Sequence, residues 1–135
     1  MAKAGCLCGK ITYEFTGEPL LCHCLKCRRI TGTAYSTNVT IPSSSVTISG
    51  TPKQFIFASG QGPVFKISFC GDCSSTMWKE SDAEGFEGYH SIQSGTLGEE
   101  FDHYKPDGEI FTPQRTKWLA PIENTRQFDG TDVGL

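Results

Sequence analysis

Seven cysteines in a chain of 135 residues are the feature that most constrains how this protein can fold. They form three groups along the chain: Cys6 and Cys8, then Cys22, Cys24 and Cys27, then Cys70 and Cys73. Disulfides would leave at least one thiol over, whereas metal sites of four and three ligands use all seven. The N-terminus has no apolar signal core, so we expect an unexported, cytoplasmic protein whose thiols stay reduced. The sequence therefore predicts zinc binding, with two ions.

The remaining residues predict an all-β fold, in one domain spanning residues 1–135. Fifteen glycines and seven prolines favour turns, and segments rich in β-branched and aromatic residues lie between them. We expect antiparallel strands at residues 10–15, 35–41, 46–49, 54–58, 64–70, 76–79, 88–94 and 108–112. Short helical turns are expected at 26–30 and 81–86. The core should cover about residues 4–122, and the polar tail, 124–135, should fray.

Charge and hydropathy exclude two classes of partner. The net charge is −3 and the twelve Lys and Arg residues are scattered, so nucleic acid is not expected as a partner. No apolar run approaches the roughly 20 residues that span a bilayer, so we expect a soluble protein without a membrane partner.

The first predicted metal site combines two cysteine pairs. Cys70 and Cys73 form a C-x-x-C turn in which Gly71 permits unusual backbone angles. Alone, this pair could be a redox dithiol, but no thioredoxin-like βαβ pattern surrounds it. Together with Cys6 and Cys8 it makes a closed four-thiolate structural site that ties the N-terminus to the middle of the chain. The alternative is that Cys6 and Cys8 lie in a disordered tail.

The second predicted site is the dense group of Cys22, Cys24 and Cys27. Three thiolates within six residues can hold one ion by themselves. A tetrahedral zinc with three protein ligands keeps one position for water or a substrate atom, which is the arrangement of a catalytic site. We therefore predict that these three cysteines carry the chemistry.

A histidine is the alternative fourth ligand of this second site. His23 lies between two of the cysteines, but in an extended segment its side chain points to the opposite face from both. His90 or His103 could also complete the shell from a distance. A lone histidine is more often a core or solvated residue than a ligand.

The ligand set limits the chemistry of the second site. Three thiolates around a divalent ion leave one net negative charge, so this zinc is a poorer Lewis acid than one held by three neutral histidines. Such a site suits a soft fourth ligand, and a substrate thiol can bind as thiolate. Chemistry at the carbon attached to that sulfur is the expected use.

Three motifs carry a resemblance to a known family: G-C-x-C-G at 5–9, C-H-C-x-x-C-R at 22–28 and F-C-x-x-C at 69–73. Together they resemble the glutathione-dependent formaldehyde-activating enzymes, a family that includes the centromere protein V type, over about residues 4–122. The resemblance implies twisted antiparallel sheets around a structural and a catalytic zinc, held by the four and the three cysteines described above. It also implies a carbon–sulfur lyase that reversibly joins formaldehyde to glutathione as S-hydroxymethylglutathione, so the expected partner is a small thiol or thiol adduct.

Two positions depart from the family pattern. Ser74 replaces the glycine that commonly follows the last cysteine, so its turn is expected to need an altered backbone. Glu109 stands before Ile110, where a histidine-isoleucine pair is common. If that histidine serves the formaldehyde reaction, this protein acts on a different thiol adduct.

Other side chains have two interpretations each. Arg28 and Arg29 could bind a carboxylate of a glutathione-like substrate or simply be solvated. Tyr35, Trp78 and Trp118 could line the pocket or belong to the core. Two further functions remain open: a non-catalytic two-zinc module that binds a protein partner, and a redox or metal-buffering protein with labile thiols.

Overall fold

A computed structural model describes residues 2–58 and 60–130, and its regular structure is mostly β. The strands are β1 Ala2–Gly5, β2 Thr12–Phe15, β3 Leu20–Cys22, β4 Ser36–Pro42, β5 Thr47–Ser49, β6 Lys53–Phe57, β7 Phe65–Phe69, β8 Thr76–Ser81, β9 Tyr89–Gln93, β10 Gly108–Ile110 and β11 Arg126–Gln127. The helical segments are α1 Leu25–Thr31 and the 3-10 turns Ser43–Ser45, Ser94–His103 and Thr112–Gln114. The predicted all-β class is confirmed. None of the helices in the described part of the chain has the length and hydropathy of a transmembrane span.

The strands form two sheets. One has the order β1-β2-β5, and the other has the order β11-β10-β3-β4-β9-β8-β7-β6. Neighbouring strands are antiparallel, except that β10 runs parallel to both β3 and β11. These parallel pairs bring the C-terminal part of the chain beside the residues around Cys22.

The core lies between the two sheets. On the large sheet, Trp78 is paired with Ile92, and Ile92 with Val39, so these three buried side chains form one row. Tyr13 and Phe15 of the small sheet are also buried, and the Tyr13 ring meets the Trp78 ring edge-on at 5.5 Å between centroids. Burying each large apolar side chain contributes about 2–3 kcal/mol. Alternation along the strands therefore fixes which face of the large sheet is the core.

The opposite face of the large sheet forms the floor of a cavity. Cross-strand pairing places Phe55 beside Ile67, Ile67 beside Lys79, Lys79 beside Ser91, and Ser91 beside Thr40. All five side chains line one cavity. Because side chains alternate between faces, Lys79 must point away from the core when Trp78 points into it.

Several elements differ from the sequence-based expectations. β1 was not predicted because its alanines have little intrinsic β preference, and it depends on pairing with β2. β3 was not predicted either. The helical turn expected at 81–86 is a series of non-helical turns. Within the tail that was expected to fray, β11 pairs with β10, and the Phe128 N–H donates to the Glu109 carbonyl at 2.9 Å.

Candidate metal centres and the adjoining cavity

The structure brings Cys6, Cys8, Cys70 and Cys73 together as a four-cysteine cluster. Their sulfur atoms all lie within 4.8 Å of one another. The Cys6 and Cys8 sulfurs are 3.6 Å apart, and those of Cys8 and Cys70 are 3.7 Å apart. Four thiolates at the usual zinc–sulfur distance from one tetrahedral ion are about 3.8 Å apart. The cluster therefore has the size of a four-thiolate metal site.

Hydrogen bonds to sulfur stabilise the thiolate forms of Cys6 and Cys73 in this cluster. The Ile11 N–H donates to Cys6 Sγ, and the Cys8 N–H to Cys73 Sγ, both at 3.4 Å. Hydrogen bonds from the hydroxyl and the backbone N–H of Ser75 lower the pKa of the Cys73 thiol to about 5. The Ser75 hydroxyl also accepts the Leu7 N–H at 2.9 Å, so it joins the two halves of the cluster.

The turn that carries Cys73 does not use its glycine as expected. Gly71 has no positive φ; instead Ser74 adopts the left-handed conformation, with φ 64°. The Ser74 N–H donates to the Cys70 carbonyl at 2.8 Å and closes the turn. Ser74 therefore adopts the left-handed backbone that glycine reaches without a Cβ clash, at the position where the family commonly has glycine.

Ser74→Gly is expected to raise the free energy of unfolding by about 1 kcal/mol, because it removes the steric cost of a Cβ at positive φ. Urea denaturation of the metal-loaded protein measures this change. Ser74→Ala is the matched control: it removes the same hydroxyl but keeps the Cβ, so it should bring no gain. Equal stabilisation by both substitutions would contradict the backbone explanation.

The three-cysteine cluster consists of Cys22, Cys24 and Cys27. Cys22 ends β3, Cys24 is the N-cap of α1, and Cys27 lies in its first turn. The sulfur of Cys24 accepts the Cys27 N–H at 3.2 Å, and the Cys22 and Cys27 sulfurs are 3.3 Å apart. Gly32 ends α1 in the left-handed conformation, with its N–H bonded to Arg28 O. Both caps fix a short helix that holds Cys27 against the sheet.

No fourth His, Cys, Asp or Glu among the described residues joins this cluster. His23 is fully buried and its Nε2 lies 2.6 Å from Glu109 Oε1. His90 stacks on Trp78 with 5.4 Å between ring centroids, and His103 is exposed. Each histidine that could have completed the metal shell is therefore placed elsewhere.

Lys79 is a member of the site that the sequence analysis did not identify. Its Nζ donates to Cys27 Sγ at 2.9 Å. The adjacent cysteines Cys22 and Cys24 together with Lys79 lower the pKa of Cys27, against the effect of burial. Burial opposes the charge of Lys79, but the nearby thiolates outweigh it and raise the pKa of its ammonium. This positive charge offsets the net negative charge that three thiolates leave around a divalent ion.

Glu109 ties the segment around His23 to the C-terminal part of the chain. Besides His23, its fully buried carboxylate accepts the Ile122 N–H at 2.9 Å and the Gln127 side-chain amide at 2.8 Å. Burial by itself would raise the pKa of Glu109. Hydrogen bonds from Gln127, His23 and Ile122, and the charge of Arg115, instead lower it to about 2. Glu109 is therefore ionised, and its hydrogen bonds position the residue between two cysteines.

A cavity of about 750 Å³ adjoins the three-cysteine cluster and is lined by Cys22, Cys24 and Cys27. Its floor is the outer face of the large sheet, and α1 forms another wall. Arg29 lines it, whereas Arg28 does not. A more open hollow of about 1000 Å³ runs along β1 and β2, and Cys6 is the one described cysteine that lines it. The cavity that meets a whole cluster is the better candidate for chemistry.

The three aromatic residues considered for the pocket all lie outside this cavity. Tyr35 packs edge-on against the His23 ring, with 5.6 Å between centroids. Trp78 is buried in the core, and Trp118 is 77% exposed. The core interpretation therefore holds for Trp78, and neither interpretation describes Trp118.

The fold and the two cysteine clusters define a small β-sheet protein with two sites that could each hold a metal ion. Residues 1–114 match the family model of the glutathione-dependent formaldehyde-activating enzymes, and the chain belongs to this family. The crystal structure of a Rhodobacter sphaeroides protein is similar, with a TM-score of 0.58, 18% sequence identity, and coverage of 77% of this chain and 96% of that chain. This likeness shows a shared fold. No curated protein matches the sequence.

Proposed function

We propose that this protein is a zinc-dependent carbon–sulfur lyase that acts on a thiol adduct, like an S-hydroxymethylglutathione synthase. The observation that carries the proposal is that all three cysteines of the three-cysteine cluster line the 750 Å³ cavity, whereas no cysteine of the four-cysteine cluster lines that cavity. Membership of the family supports a lyase-type role. The two clusters thus have different roles: the four-cysteine cluster stabilises the fold, and the three-cysteine cluster faces the substrate.

Thiolate ligands suit zinc in both clusters. Cys6, Cys8, Cys70 and Cys73 would hold the structural ion, and Cys22, Cys24 and Cys27 the catalytic one. Bound at the second cluster, zinc would supply a coordination position at which a substrate thiol is held as thiolate. These assignments agree with the sulfur spacing and with the absence of a fourth ligand among the described residues.

The proposed reaction needs no oxidant or reductant. In the joining direction, the thiol sulfur forms a bond to the aldehyde carbon, the carbonyl π bond breaks, and the thiol proton ends on the oxygen as a hydroxyl. Lys79 would lower the cost of bringing another anionic sulfur beside three thiolates. Arg29 at the wall of the cavity provides a cation for a carboxylate. The reverse direction breaks the same C–S bond.

Cobalt substitution tests the proposal. We expect a thiol substrate, added as glutathione or a simpler thiol, to change the visible absorption of the Co(II)-loaded protein, because a new sulfur joins the cobalt at the three-cysteine cluster. A Cys24→Ser variant, which lacks one ligand of that cluster, is the control and should lose this response. No change with saturating thiols would contradict the lyase and favour a non-catalytic protein-interaction module.

A further inference from the structure

Phenylalanine side chains form much of the cavity beside the three-cysteine cluster. Five of the nine phenylalanines line it, namely Phe55, Phe57, Phe65, Phe86 and Phe111, whereas Phe15 is the one phenylalanine among the described residues that is fully buried in the core. More phenylalanine side chains therefore line the cavity than are fully buried between the sheets. A cavity lined in this way favours an apolar ligand.

Three of these phenylalanines, together with Ile67, form the part of the cavity floor that we call the apolar wall; it lies on the paired strands β6 and β7 and consists of Phe55, Phe57, Phe65 and Ile67. Phe55 lies opposite Ile67, and Phe57 lies opposite Phe65. The Phe57 and Phe65 rings are 6.5 Å apart between centroids. Phe55 remains 55% exposed, so this wall still has apolar surface to cover.

The apolar wall is one strand away from the thiolates. Ile67 is the cross-strand partner of Lys79, and Lys79 Nζ is 2.9 Å from Cys27 Sγ. The spacing of about 5 Å between neighbouring antiparallel strands and the length of the Lys79 side chain together separate Ile67 from Cys27, and both residues line the same cavity. A small molecule whose sulfur lies beside Cys27 therefore directs a ring on a short linker toward the wall.

Two of the three cationic side chains that line the cavity already face other groups of the protein. The Lys26 ammonium lies over the Phe57 and Phe65 rings, at 5.6 Å and 5.0 Å from their centroids, and Lys79 faces Cys27. Arg29 is left for one carboxylate of glutathione, but polar groups of the peptide that lie against the phenyl surfaces find no hydrogen bonds there, which costs free energy for each group left without a partner. An uncharged apolar group gains free energy on the same surface.

We infer that the substrate of this site carries an apolar group of about the size of an aromatic ring close to its sulfur, and that the apolar wall binds this group. The inference rests on the proposed function, because the sulfur end of the substrate is assigned to the three-cysteine cluster. Glu109 at the position where the family commonly has histidine agrees with a different thiol adduct.

Calorimetric titration of the zinc-loaded protein with phenylmethanethiol and with glutathione tests the inference. We expect phenylmethanethiol to bind at least about tenfold more tightly, with a negative heat-capacity change from apolar burial. Tighter or equal binding of glutathione would overturn the inference and leave the proposed function standing. Binding of neither thiol would overturn both.

Substitutions on one strand locate the binding surface. Phe57→Ala is expected to weaken phenylmethanethiol about tenfold and to leave 2-mercaptoethanol, which has no ring, within about twofold. Ile56→Ala is the matched control, because Ile56 is 59% exposed on the same strand but does not line the cavity. Phe55→Ala, at an equally exposed position, tests the same wall if Phe57→Ala perturbs folding. Equal effects of Phe55→Ala and Ile56→Ala would overturn the assignment of the wall.

Discussion

Cys70→Ala is expected to unfold the domain, whereas Cys24→Ser should fold and lose its response to substrate. Cys70 is 1% exposed and follows β7, so its sulfur connects the large sheet to Cys8 near the N-terminus. Structural zinc contributes roughly 10 kcal/mol or more to folding in small zinc domains, which is comparable with the whole stability of a domain, about 5–15 kcal/mol. Cys24 instead caps α1, a helix of seven residues, and serine retains the N-cap.

Circular dichroism and urea denaturation of both variants, after loading with zinc, measure this difference. Cys24→Ala separates the cap from the ligand: relative to Cys24→Ser it should lose about a further 1 kcal/mol and have the same absent thiol response. Equal unfolding of the Cys70 and Cys24 variants would mean that the three-cysteine cluster is structural too.

Glu109→Gln is expected to lower the free energy of unfolding at pH 7 by about 3 kcal/mol. The carboxylate accepts hydrogen bonds from His23, Ile122 and Gln127 in a fully buried position. In glutamine, an NH₂ group replaces one of the two carboxylate oxygens, so a donor faces another donor. Glu123→Gln is the matched control, because Glu123 is exposed on the same segment; its effect should stay within about 0.5 kcal/mol.

The pH dependence of this effect has a defined sign. The folded-state pKa of Glu109 is lowered to about 2 from 4.5, so its contribution is fully present above the ordinary value and is lost as the pH falls through the folded value. The difference in stability between the native protein and Glu109→Gln should therefore shrink between pH 4.5 and pH 2. A difference that stays constant over this window would show that the charge of Glu109 is not what stabilises the protein.

The sequence predicted the strands well where local signals were strong. Residues 64–70, with alternating aromatic and β-branched side chains, gave β7 within one residue at each end. β3 was missed because Leu20 and Leu21 have no strong β preference, and only pairing with β4 and β10 makes them a strand. β11 is two residues long and depends in the same way on a partner that is distant in sequence.

The three motifs also indicated which cysteines come together. Cysteines within one motif are close in sequence and must be close in space, and the four ligands of a closed site joined the two pairs, although Cys8 and Cys70 are 62 residues apart. The other residues that contact the clusters, or that position residues within them, could not be found in that way. Lys79 is 52 residues from Cys27 and Glu109 is 86 residues from His23, so only the sheet register places them. Strand alternation around Trp78 would have predicted that the Lys79 side chain points away from the core, but not which residue it contacts.

The central claim is that one cluster saturates its metal with protein sulfur and the other does not. Zinc K-edge absorption spectroscopy of the zinc-loaded protein, with a metal count, tests it most directly. We predict two zinc ions per chain and an average of about 3.5 sulfur ligands per zinc. The fourth ligand of the zinc at the three-cysteine cluster should be an atom lighter than sulfur that does not belong to an imidazole. Four sulfurs per zinc, an imidazole signal, or a single tightly held ion would contradict the account.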